Sequence, residues 1–124
     1  MPQNVMTGKA TAIPAQVMFD GRVARSAIQT DNAMVVFNYL DDMTEDIPPH
    51  DHPFDQLALI FGGAMEFIVD GEKYIVEDGG YLYIPAGLPH TGKALGSGRV
   101  LNIDVFSPAR ADFAHLVEWQ GDNT

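Results

Sequence analysis

A chain of 124 residues, 46% hydrophobic and 19% charged, has the composition of one globular domain with enough apolar surface to bury a core. It contains no cysteine, which excludes disulfides, thiolate metal sites and cysteine nucleophiles. Seven basic against 17 acidic residues give a formal net charge of −10, so phosphate backbones and anionic lipids are repelled and neither nucleic acid nor membrane is expected as a partner.

The N-terminal stretch has no apolar core behind a basic region, and no run reaches the roughly 18 apolar residues needed to span a bilayer. The expectation is a soluble, cytoplasmic protein. Short apolar runs alternate with turn signals about every 8–12 residues, the pattern of a β-sandwich or barrel. Asp20-Gly21 marks a first hairpin. Ala33–Leu40 is rich in β-branched and aromatic residues and reads as a strand. Gln56–Phe61 (QLALIF) is apolar on both faces, which predicts that the core covers one and another sheet or subunit the other. Within Met65–Glu77, Asp70-Gly71 separates two strands by a turn whose central residues need positive φ. Tyr81–Pro85 and Arg99–Phe106 add two strands. Helix is expected only over 108–120, where Phe113, Leu116 and Val117 stand at helical spacing and Ser107 or Asp112 offers a cap. Residues 1–12 and 121–124 read as loose termini, and no linker divides the chain. The whole of 1–124 is one domain on this reading, with its core over 13–106.

The chain has four histidines, two of them one residue apart in Pro48-Pro49-His50-Asp51-His52. Side chains two apart on a strand share a face, so His50 and His52 converge, and Gln56 has the same parity. Imidazole is a ligand for several transition metals. His90, after the strand and turn of Tyr81–Pro89, supplies a third, and three histidines on adjacent strands leave coordination positions open. An H-x-H pair alone is more often an exposed loop pair; the surrounding pattern gives it weight. His115 reads as a surface or packing residue, and Asp51 and Asp55 as solvated carboxylates. Phe54 shares the ligands' parity and could wall the site. Tyr39, Tyr74, Tyr81, Tyr83, Lys93 and Arg99 are weak candidates for a proton donor; Asn38, Asn102 and Asp104 are weak candidates for lining the pocket. Motifs for serine hydrolysis, nucleotide phosphate or dinucleotide binding are missing.

These residues resemble the cupin family. Its first motif is a glycine, five residues, H-x-H, three or four residues, glutamate, six residues and glycine; here it runs His50-Asp51-His52, Pro53-Phe54-Asp55, Gln56 and then six residues to Gly63. Its second is a glycine, five residues, P-x-G, two residues, histidine, three residues and asparagine; here it runs Gly79, Pro85-Ala86-Gly87, His90 and Ala94. The fifteen-residue spacer between Gly63 and Gly79 matches small microbial cupins. Thr44 and Ala94 depart from the pattern in turn or strand-end detail, and Gln56 stands where glutamate is usual.

The resemblance implies an all-β, double-stranded β-helix (jelly-roll) barrel, here with a short C-terminal helix, pairing as a homodimer. It implies a metal on His50, His52, Gln56 and His90, of which manganese, iron, nickel and zinc are the expected identities and copper a further one. It also implies an enzyme acting on a small organic molecule by dioxygenase, isomerase or lyase chemistry, manganese hydroxynitrile lyases being one such group. A glutamine oxygen donates as a neutral dipole, so the metal keeps its full +2 charge and favours an anionic co-ligand. Two other readings of Gln56 stay open: a hydrogen bond to a histidine or water, or a site that has lost its metal. The alternative function is a non-catalytic barrel that binds or senses a small ligand.

Overall fold

The computed structural model describes residues 5–41, 47–96 and 98–121. Thr44, one of the motif positions, lies outside them. Nine strands are formed among the described residues: β1 (Gln16–Met18), β2 (Val23–Gln29), β3 (Met34–Leu40), β4 (Gln56–Phe61), β5 (Ala64–Val69), β6 (Glu72–Val76), β7 (Tyr81–Ile84), β8 (His90–Leu95) and β9 (Val100–Phe106). They pair antiparallel in a six-stranded sheet ordered β1-β2-β3-β9-β4-β7 and a three-stranded sheet ordered β6-β5-β8, which is the jelly-roll architecture expected. No described helix is long and apolar enough to cross a membrane.

Alternation along the strands builds the core. Ala58, Ile60, Ile84 and Val100 from the larger sheet meet Met65, Phe67, Val69 and Ala94 from the smaller one in a single buried cluster. A second cluster, Ala27, Met34, Val36, Phe106 and Leu116, lies where the C-terminal segment closes one end of the larger sheet. The opposite face of β4 is not covered by the chain's own described segments. Leu57 and Leu59 are half-buried there and Phe61 is exposed.

Two expectations change. The strand proposed to carry His50 and His52 does not form: His50 makes an isolated antiparallel bridge to His90, and the chain between it and β4 is a loop. Pro48, Pro49 and Pro53 lack the N–H groups that a ladder needs. Instead, His50 and His90 exchange both backbone hydrogen bonds, at 3.0 and 2.8 Å, and Gly87 N–H donates to His52 O at 2.9 Å. The C-terminal segment Ala111–Gln120 is a 3₁₀ helix rather than an α-helix. Phe113, Leu116 and Trp119 are spaced three apart, which a helix of 3.0 residues per turn stacks on one side. Neither expected cap is used; Ser107 Oγ donates to Asn32 O, and Asp112 pairs with Arg110. This segment also satisfies the part of β2 that short β1 leaves unpaired: Trp119 Nε1 donates to Ala27 O, while the Gln120 amide bonds both Gln29 N and Gln29 O.

The turn between β5 and β6 follows the sequence closely. Asp70 and Gly71 both have positive φ, 48° and 83°, as the two-residue hairpin demands. Replacing Gly71 with alanine should cost about 1 kcal/mol from the left-handed backbone alone, since an added Cβ meets nothing within 4 Å. Urea denaturation would measure it, with metal affinity expected to stay unchanged because the turn carries no ligand.

Candidate metal centre

The three histidines converge although a loop, not a strand, carries two of them. One ring nitrogen of each lies within 4.8 Å of the others, positioned to bind a metal. His52 and His90 are buried and His50 is exposed, so the cluster is reached from the His50 side. Leu88 O lies 2.9 Å from His90 Nδ1, and Phe54 O lies 2.8 Å from His52 Nδ1. A carbonyl can only accept, so in the neutral rings each Nδ1 carries the proton and each Nε2 presents a lone pair.

His52 Nε2 then faces Gln56 Oε1 at 3.2 Å. The amide cannot flip to offer its N–H₂, because that group already donates to Asp104 Oδ1 at 2.8 Å. Asp104 also accepts from Asn102 Nδ2 at 2.7 Å and from Asn38 Nδ2 at 3.0 Å, and Asn38 Oδ1 accepts from Arg25 Nε at 2.7 Å. Two acceptors are thus held against each other, and among the described residues the buried His90 Nε2 has no hydrogen-bond partner. A cation among these atoms relieves both defects. The residues present therefore fit a bound metal.

Protonation of His50 and His90 is disfavoured. Although His50 is open to solvent on one side, loss of hydration on its inner side is the first cause that pushes it below its ordinary value, followed by the neighbouring histidines and by Arg110 and Arg25. Burial lowers His90 as well, partly offset by its bond to Leu88. Burial pushes the Asp104 carboxyl up to about 6, against the opposing pull of its amide donors and Arg25.

The aromatic wall is Phe54, stacked on His52 with ring centroids 4.3 Å apart, and Phe106, edge-on at 5.9 Å. Above them sits Arg110, whose guanidinium lies 3.8 Å from the Phe113 centroid, 4.9 Å from Phe106 and 5.1 Å from Phe54. Its Nε and one terminal nitrogen bond Asp112.

The model of the family described as "Cupin domain" matches residues 42–106, just over half of the chain. The chain belongs to the cupin family. Among curated proteins, the pectin degradation protein KdgF of Dickeya dadantii is 41% identical over 66 residues, covering 52% of this chain and 59% of the relative. The match thus spans about three fifths of that relative's length. Of solved structures, KdgF from Halomonas sp. superposes with a TM-score of 0.72 at 28% identity over 85% of this chain and 96% of that one. An RmlC-like cupin from Shewanella frigidimarina gives 0.73 at 26% identity, over 91% and 99%.

Within this cupin the remaining candidates sort clearly. Phe54 walls the cluster as expected, and Asn38, Asn102 and Asp104 form the frame behind Gln56. His115 is exposed, within hydrogen-bond distance of Gln16. Tyr83 O–H donates to Asp55, Lys93 pairs with Glu66 and Arg99 with Asp41, and Tyr74 and Tyr81 are exposed; none of these meets the histidines. Arg25 and Arg110 were not anticipated. Arg25 stands in an apolar strand at the parity of buried Val23 and Ala27, a signal that was available. Arg110 lies beyond the last strand, where no pattern marks it. A cavity of about 850 Å³, lined by the N-terminal segment, the end of β2 and Trp119, contains none of the cluster.

Asp104→Asn tests the orientation of Gln56. An amide at 104 can offer an N–H₂ to the glutamine and let it turn, so manganese affinity should fall by about tenfold in calorimetric titration. An unchanged affinity would show that Gln56 needs no such clamp.

Proposed function

We propose that this cupin is a metal-dependent enzyme acting on a small carboxylated sugar of the kind that pectin breakdown releases. The observation that carries the reading is the pair of lone pairs, His52 Nε2 and Gln56 Oε1, held 3.2 Å apart beside the orphaned His90 Nε2. His50, His52, His90 and Gln56 would hold a divalent transition metal, with manganese, iron, nickel and zinc all compatible with three imidazoles and an oxygen. Bound there, the metal supplies a Lewis acid of undiminished +2 charge to an oxygen of the ligand, which supports isomerase or lyase chemistry. Gln56 contributes a neutral donor, and Asp104 keeps its oxygen aimed inward. Phe54 and Phe106 screen one side of the cluster from water, strengthening any electrostatic contact made there. Arg110 adds a fixed positive charge over that wall. Likeness to a protein named for pectin degradation supports an acidic sugar, because pectin is chiefly a galacturonate polymer.

Protein purified without chelators should carry roughly one divalent ion per chain by elemental analysis. His90→Ala should remove most of it, whereas Gln56→Glu should retain or tighten it and change activity. Metal-loaded protein should convert galacturonate, or its unsaturated derivatives, to new species seen by NMR. Full metal content without any conversion would leave a non-catalytic metal-dependent binder in place of the enzyme.

The reading includes a homodimer. Register aligns Val35, Val105 and Leu57, then Phe37, Ile103 and Leu59, then Tyr39, Leu101 and Phe61, in three rows across β3, β9 and β4 on the outer face. No charged side chain interrupts these rows in a chain of net charge −10. An uncharged face of this kind suits a permanent second copy better than a transient partner, whose interfaces are more polar. Light scattering should give a dimer, and Leu59→Asp should give a monomer that still binds metal. A monomeric wild type at micromolar concentration would remove this part of the reading.

A further inference from the structure

Among the described residues, Arg25 is a cation that no carboxylate meets within ion-pair distance. It lies on the inner face of β2, opposite Asn38 in register, and its Nε is committed to the Asn38 carbonyl oxygen at 2.7 Å. Among the described residues its two terminal nitrogens have no hydrogen-bond acceptor, and no carboxylate lies within ion-pair distance. Arg110 differs, being occupied by Asp112 and enclosed by three rings. Both guanidinium groups approach the Phe113 ring, Arg25 at 5.0 Å and Arg110 at 3.8 Å from its centroid.

Two chains of contact link Arg25 to His52. One runs from His52 through Phe54, Arg110 and Phe113. The other runs from His52 through Gln56, Asp104 and Asn38. A partly buried guanidinium with both terminal nitrogens free is a preformed fork for a carboxylate, which accepts two parallel N–H bonds.

We propose that Arg25 receives the ligand's carboxylate on its two terminal nitrogens, while a different oxygen of the same molecule turns to the His50, His52, His90 and Gln56 cluster. The inference rests on the acidic-sugar reading above and sharpens it: acids are selected over neutral sugars by Arg25 rather than by the metal. The Asn38 and Asp104 contacts give Arg25 a second consequence, since the same frame that aims Gln56 also fixes the fork.

The test is calorimetric titration of full-length, manganese-loaded protein with D-galacturonate, D-galactose and succinate, comparing wild type with Arg25→Met and Arg25→Lys. Metal content and melting temperature are measured on each. Galacturonate should bind wild type at least about tenfold more tightly than galactose, and Arg25→Met should abolish that preference without changing metal content. Arg25→Lys keeps the charge and a donor for Asn38 but not the fork, so a folded Lys variant should still lose several-fold on the acids and nothing on galactose. Acid binding unchanged in both variants would overturn the role of Arg25 and leave the acidic-sugar reading standing. Succinate binding that depends on Arg25, without any galacturonate binding, would uphold the fork and remove the sugar. Failure of every carboxylate to bind wild type would overturn both.

Discussion

A neutral imidazole has one N–H, and His52 has an oxygen acceptor on each side. Phe54 O stands 2.8 Å from Nδ1 and Gln56 Oε1 stands 3.2 Å from Nε2. Whichever nitrogen carries the proton, the other contact sets lone pair against lone pair. Such a contact is unfavourable in a dry interior, where an unsatisfied polar atom costs about 1–3 kcal/mol. It persists because the amide is held from behind by Asp104, whose own oxygens are held by Asn102 and Asn38. The arrangement makes sense when a cation occupies the gap, and the buried, unpartnered Nε2 of His90 points to the same solution.

Strand register makes this frame possible. Asn38 faces Asn102 across β3 and β9, Asp104 faces Ala58 across β9 and β4, and Arg25 faces Asn38 across β2 and β3. All point inward, so a row of polar groups crosses the floor of an otherwise apolar barrel. Apolar clusters flank it on both sides. Slipping any strand by one residue would turn its polar member to the outside and bring an aliphatic side chain in. The hydrophobic pattern therefore secures the polar network as well as the core. The loop carrying His50 and His52 is secured differently, by backbone bonds to His90 and Gly87.

Much of this was legible in the chain. Alternation and turn residues located β3, β4, β5, β6, β7 and β9 to within a residue or two, and Asp70-Gly71 identified its hairpin. The three histidines and Gln56 were singled out by parity and by the cupin motifs; the structure brings the three histidines together and sets Gln56 Oε1 3.2 Å from His52 Nε2. Parity led to the right convergence for a partly wrong reason: prolines at 48, 49 and 53 break the strand, and the chain returns to the correct side through a loop. Strand β8, His90–Leu95, has Gly92 and Lys93 at its centre and no alternation to announce it. The C-terminal helix showed α-spacing and three-residue spacing together, and packing against β2 selected the second. Asp104 looked like any polar residue in a strand. Its importance comes from meeting Gln56, 48 positions away, and no local pattern records such a pairing.

Charge separates the site from the surface around it. The chain as a whole carries −10, yet the fixed charges behind Gln56 and the aromatic wall, Arg25 and Arg110 against Asp104 and Asp112, cancel in number. A glutamate at position 56 would tip this balance negative and halve the charge of a divalent ion. Glutamine leaves the balance even, so the whole +2 remains uncompensated in a setting where Coulomb energies are several times those in water. An anionic or oxygen-rich ligand is then the natural completion of the site, and Arg25, with its terminal nitrogens free, is the group poised to orient it. The acidic exterior does not oppose this. Its charges face solvent and are screened within about 8–10 Å at ordinary salt, while those of the barrel floor act across a few ångströms of protein.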